Sequence, residues 1–132
     1  KADEYDLFFI DDAAQGFGGQ IGSKLVGSFG DVSATSFFPA KPLGCYGDGG
    51  AIFTDNDELA EIMRSVRIHG GGVNKYQNIR VGLNGRLDTI QAAILLEKFT
   101  IFKDEVIARN KVADYYRSKI NQHLITPFIP KN

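Results

Sequence analysis

A lysine set among uncharged residues is the first group in this sequence that could do chemistry. In "SFFPAKPLGCYGDGG", Ser36 to Gly50, Lys41 is the only charged residue between Asp31 and Asp48. An amine must be neutral to attack a carbonyl, and a lysine in water is almost wholly cationic at pH 7. Aromatic and apolar neighbours withdraw the water that stabilises the cation, which is one way Schiff-base lysines are activated. The plainer alternative is that Lys41 buries its stem and snorkels its ammonium to solvent.

Asp12 is the second candidate. It closes "DLFFIDDA", four apolar residues followed by two aspartates, the pattern of a short strand buried on both faces with polar groups at its C-terminal end. Ligands gather at such ends in α/β sheets, and a carboxylate fixed there can keep a heteroaromatic nitrogen protonated. Its plainer role is that of a turn or cap acid. Asn84 and Arg86 end a long polar loop, Gly72 to Gly85, where an amide and a guanidinium two residues apart could grip a phosphate or carboxylate. Alternatively they finish a turn and decorate a helix start. His69, before three glycines, reads as a helix-end residue.

The elements that must position these groups are legible from periodicity. "GFGGQIGSKLVGSFGD" carries six glycines in sixteen residues and predicts turns with a brief extended pair, while its spacing misses the G-x-G-x-x-G fingerprint by one residue. "VSATSFF" and "GGAIFTD" predict two further strands. Asp55 and Glu58, three apart, form a capping-box pattern opening a helix over "NDELAEIMRSVRIH", with Leu59, Ile62, Met63 and Val66 on one face. From Arg86 to Ile125 there is neither glycine nor proline, and Leu95, Phe99, Phe102, Val106, Ala113, Tyr116 and Ile120 recur at helical spacing, interrupted by Arg109. This predicts one long helix, or two joined near Phe102 to Asp104. The tail "LITPFIPKN" reads as the start of an extended segment.

Composition excludes several classes of function. With 43% hydrophobic residues, a net charge of -1 and no run of five like charges, the 132 residues fit one soluble domain, with nothing that asks for nucleic acid or an anionic membrane. No apolar run approaches a membrane span and "KADEYD" is unlike a signal peptide, so the cytoplasm is the expected compartment. Cys45, the only cysteine, can form neither an internal disulfide nor a recognisable metal site, and reads as a small buried hydrophobe. No metal is expected. The fold class is α/β, and three strands are too few to cover a strand as apolar as "LFFI", so the chain is expected to be part of a larger subunit.

"DDAAQGFGG", "GSFGDVSATSFFPAKPLGCYGDGGAIFTDN", "RIHGGG" and "VGLNGRLDTIQAAIL" together resemble the sugar aminotransferases of the DegT/DnrJ/EryC1/StrS family. The resemblance runs over nearly the whole chain and implies part of the large domain of a fold type I enzyme dependent on pyridoxal 5'-phosphate, with an incomplete, mostly parallel sheet and a long C-terminal helix. It implies that Lys41 bears the cofactor, that Asp12 lies beneath the pyridine nitrogen, that Gln15 lies against the ring, and that Ser36 contacts the phosphate. It further implies that Asn84 and Arg86 reach into the site of the other subunit of a homodimer with shared sites, Asn84 towards cofactor and Arg86 towards substrate, and that His69 borders the substrate.

The activity so implied moves an amino group, from an amino-acid donor such as glutamate, onto a keto sugar linked to a nucleotide. "KPLGCYGDGGA" resembles enzymes that make amino sugars for surface polysaccharide. Family dehydratases replace the lysine by histidine, so Lys41 argues against that branch. A cofactor-free interaction module pairing through the long helix is the reading of another class. The expected organisation is a partial cofactor-binding domain over 1–85, the helix over 86–125 and the extended segment over 126–132, with the family's upstream stretch and C-terminal domain lying outside the chain.

Overall fold

The computed structural model describes residues 1–74, 76–120 and 124–129. A 3-10 turn at Asp3–Tyr5 precedes β1 (Ile10–Asp12), β2 (Gln20–Ile21), β3 (Lys24–Leu25), β4 (Val32–Ser36) and β5 (Gly50–Phe53), followed by α1 (Asp57–Arg67) and α2 (Thr89–Lys119). The main sheet has the order β1-β4-β5. β1 runs parallel to β4, with Asp12 opposite Ala34, and β5 runs antiparallel to β4, with Ser36 opposite Gly50.

The run "LFFI" is not the doubly buried strand its composition suggests. Only Ile10 belongs to β1, and Leu7, Phe8, Phe9 and Ile10 are all exposed. β1 is an edge strand with a partner on one side, so no element among the described residues covers its apolar side chains.

The glycine-rich stretch does contain the extended pair: β2 and β3 form a two-stranded hairpin. Gly22, at φ 59, takes the first loop position, where a type II′ turn places glycine.

α1 starts one residue later than the Asp55–Glu58 pattern implies. Its cap is Asn56, whose side-chain oxygen accepts from the Leu59 amide at 3.0 Å. Thr54 decides this boundary, because its hydroxyl donates to Asp31 O at 2.7 Å and accepts from the Asn56 amide at 3.1 Å. Asp57 and Glu58 in the first turn and Arg64 and Arg67 in the last complement the helix dipole.

α2 is one continuous helix with no joint at Phe102 to Asp104, and it spans Thr89–Lys119 rather than 86–125. Phe102 is buried at the point where a break was conceivable, and packing there favours continuity. Leu95 and Phe102 join Phe37, Leu43 and Cys45 in the core, with Phe17, Ala51, Leu87 and Val106 against them. Each such large apolar side chain contributes roughly 1.5–3 kcal/mol when fully buried. Residues 124–129 carry no strand, and the last three residues of the expected extended segment lie outside the described residues. Among the described residues no helix is long and apolar enough to cross a membrane.

Candidate active site

Strand alternation decides which aspartate can serve a ligand. Asp11 pairs with Ser33 and Asp12 with Ala34, so the two carboxylates point to opposite faces of the sheet. On the Asp11 side lie Ser33 and Thr35, both buried. Asp11 Oδ2 accepts from Ser33 Oγ at 3.0 Å and from the Gly27 amide at 3.1 Å, tying β1 to β4 and to the return from the hairpin. On the other, open face stand Asp12, Ala34 and Ser36. Asp12 Oδ1 accepts from the Ala14 amide at 3.1 Å, a turn bond that fixes the carboxylate and leaves Oδ2 without a partner among the described residues.

Ser36 ends β4 and begins the loop that carries Lys41. Its hydroxyl accepts from the Phe38 amide at 3.2 Å, and the Lys41 amide donates to Phe38 O at 2.9 Å. The loop closes on itself: Phe37 N donates to Gly49 O at 2.7 Å and Cys45 N to Phe37 O at 2.8 Å. Cys45, with no exposure, is its anchor, and the thiol lies 3.0 Å from both Phe37 O and Gly47 O. The reading of Cys45 as a small buried group therefore holds, with a loop-closing role added.

Lys41 is half-buried, and its amine meets no carboxylate or other hydrogen-bond partner among the described residues. The two phenylalanines expected to surround it divide between core and surface. Phe37 turns into the core while Phe38 is half-exposed, because consecutive residues leaving a strand point to opposite sides.

Asn84 and Arg86 are brought together: Arg86 Nε donates to Asn84 Oδ1 at 3.2 Å, which leaves the Asn84 amide NH2 and the outer guanidinium N–H groups as exposed donors. The loop presenting them is pinned to the end of α1. Leu83 N donates to Val66 O at 2.9 Å and Gly85 N to Arg67 O at 2.8 Å, and Ile68 bridges Asn84. His69 follows the α1 cap in the left-handed region, at φ 64, with its amide donating to Leu83 O at 2.9 Å. Its ring and the exposed Gln15 side chain make no hydrogen bond among the described residues.

The donor set fits pyridoxal phosphate. An uncommitted carboxylate oxygen, a hydroxyl on the same sheet face and a free amine in the adjoining loop match a pyridinium nitrogen, a phosphate and an aldehyde. A cavity of about 1120 Å³ elsewhere in the structure does not hold this set. It lies between β4–β5 and α1, lined by groups such as Ile52, Met63, Val66 and Leu87, and contains none of the candidate residues. Its wall is mainly apolar, whereas Asp12 and Ser36 stand on the open sheet face.

Three groups escaped prediction as parts of the Lys41 region. Gln91 Oε1 accepts from the Tyr46 amide at 2.8 Å, Lys98 Nζ donates to Gly44 O, and Arg109 Nη1 donates to Pro42 O at 3.0 Å. The one signal for them in the sequence is Arg109 itself, a charge set into an otherwise apolar stripe.

A carboxylate and a hydroxyl thus end the parallel strands β1 and β4 on one face, with a lysine in the loop that follows β4. The chain belongs to the DegT/DnrJ/EryC1/StrS aminotransferase family, whose profile matches residues 1–130. It is 52% identical over 132 residues to the UDP-2-acetamido-2-deoxy-3-oxo-D-glucuronate aminotransferase of Pseudomonas aeruginosa, covering 99% of this chain and 36% of that protein. Its structure is similar to that of a DegT DnrJ EryC1 StrS aminotransferase from Brucella abortus (TM-score 0.93, 52% identity, 98% of this chain and 35% of that one). It is also similar to ntda from Bacillus subtilis with bound cofactor PMP (TM-score 0.78, 38% identity, 89% and 26%). The chain thus spans about a quarter to a third of the length of these relatives.

Proposed function

We propose that the protein containing this chain transfers an amino group from an amino acid to a keto sugar carried on a nucleotide, with pyridoxal phosphate as cofactor. The observation that carries this reading is the placement of Asp12 and Ser36 on one open sheet face, with Lys41 in the loop that Ser36 begins. The similarity to an aminotransferase named for a UDP-linked 3-oxo-glucuronate supports a sugar acid of that kind as substrate.

In this reading Asp12 Oδ2 would hold the proton on the pyridine nitrogen, and the Ala14 amide bond to Oδ1 keeps the carboxylate oriented. The Ser36 hydroxyl would donate to the phosphate, and Gln15 would lie against the ring. When bound, the cofactor supplies an electron sink for the electrons released as a proton leaves the substrate carbon. Lys41 would hold the cofactor, and its Nζ, when neutral, would take up and return that proton as a base. Asn84 and Arg86 would donate to anionic groups in the neighbouring subunit's site.

The test is turnover by the full-length subunit. Supplied with pyridoxal phosphate, glutamate and a UDP-linked 3-keto sugar acid, it should form the amino sugar and 2-oxoglutarate, read by mass spectrometry. A cofactor-loaded subunit that leaves keto sugars of this class unaminated overturns the assignment.

A further inference from the structure

Lys41 is bracketed by bonds on both sides. Its own amide donates to Phe38 O at 2.9 Å, and the carbonyl of the next residue, Pro42, accepts from Arg109 at 3.0 Å. Two residues on, Gly44 O accepts from Lys98, and at Tyr46 the amide donates to Gln91 Oε1 at 2.8 Å. Residue numbers rise along α2 as they fall along the loop, so the loop runs antiparallel to the helix. Gln91, Lys98 and Arg109 stand seven and eleven residues apart, spacings that return within about 20° of the same helix direction. They therefore form one polar line along the buried Leu95 and Phe102.

Elementary geometry explains why the loop needs outside partners. Pro39 and Pro42 have no amide hydrogen, so this stretch cannot complete a ladder, and its outward carbonyls require donors from elsewhere. Charged donors make the stronger bonds. Both cations are held in place: Arg109 Nη2 lies 3.6 Å from Glu105 Oε2, and Lys98 Nζ stands 5.6 Å from the centre of the Tyr46 ring. All three hydrogen bonds between the helix and the loop end on loop backbone atoms, and none engages the Lys41 side chain.

We propose that Gln91, Lys98 and Arg109 are positioning residues for Lys41, setting where its amine sits by holding the backbone from Pro42 to Tyr46 against α2. This rests on the reading of Lys41 as the cofactor lysine, and the experiment separates the two.

In the full-length subunit, Arg109→Met and Lys98→Met, singly and together, keep the stems and remove the donors. Two readouts are taken: deuterium exchange of peptide 42–47 in the cofactor-free protein, and the rate at which added pyridoxal phosphate becomes fixed to Lys41 by borohydride. The double variant should exchange peptide 42–47 faster while α1 keeps its protection, and fixation should slow by at least about tenfold, as misplacement of a reacting group on the ångström scale allows. Arg109→Lys, which retains a donor, should recover most of the rate. Should the double variant not fold, the single Arg109→Met at its half-exposed site carries the test. Unchanged exchange and fixation in these variants, with wild-type protein labelled on Lys41, overturns the positioning role and leaves the function standing. Wild-type protein that never labels on Lys41 removes both.

Discussion

Asp11 and Asp12 are neighbours in sequence and face opposite sides of the sheet. Asp11 is engaged with Ser33 and Gly27, whereas Asp12 keeps an oxygen available on the open face. Their substitutions should therefore separate stability from chemistry. Asp11→Ala should lower unfolding free energy by about 2–3 kcal/mol, since two hydrogen bonds to a carboxylate are lost. Asp12→Asn should fold normally and lose several orders of magnitude in transamination, roughly 4 kcal/mol or more in the barrier. Denaturant melts and turnover measured on both variants check this; near-normal turnover by Asp12→Asn returns it to a turn residue.

Lys41 should carry the cofactor. After borohydride reduction of the loaded full-length enzyme, peptide mapping is expected to place a pyridoxyl group on Lys41, and a label on Lys24 instead contradicts the assignment. Lys41→Ala should lack the visible absorbance of the wild type.

The Asn84–Arg86 pair should serve the neighbouring subunit. Mixing a full-length Lys41→Ala subunit with an Asn84→Ala, Arg86→Ala subunit puts both defects in one site of a hybrid dimer and leaves the other intact. Activity should return from two inactive parents, to about a quarter of wild type in a statistical mixture. No recovery places the loop in its own subunit's site.

Gly70 should tolerate no side chain. It sits at φ 73, and a Cβ there would lie 1.8 Å from Arg80 O, a backbone atom that cannot swing away. Gly70→Ala should cost about 2 kcal/mol or more and release the loop that presents Asn84. Thermal melts and exchange of residues 78–86 read both effects.

The Cys45 thiol, fully buried, should stay unreactive towards thiol reagents in the native protein and react on unfolding. Rapid native labelling contradicts the anchor described for the Lys41 loop.

Much of the architecture is written in local patterns. β4 and β5 follow from short apolar runs, α1 and α2 from their 3.6-residue periods, and the hairpin from its glycines, because each rests on neighbours within a few turns of chain. The chemistry-bearing types, Lys41 and the aspartate pair, stand out because charge beside apolar sequence has a cost that must have a reason. Resemblance singled out Asp12, but its availability rests on which face it occupies, and a face is assigned only once β1 is registered against β4, twenty-two residues away. The burial expected for "LFFI" fails for the same reason: hydrophobicity states what a strand could bury, and only its neighbours decide what it does bury. Arg109 looked like a flaw in an apolar stripe, and a contact sixty-seven residues distant in sequence gives it a partner in Pro42 O. Pairings at that separation depend on how whole elements pack, and no local pattern encodes them.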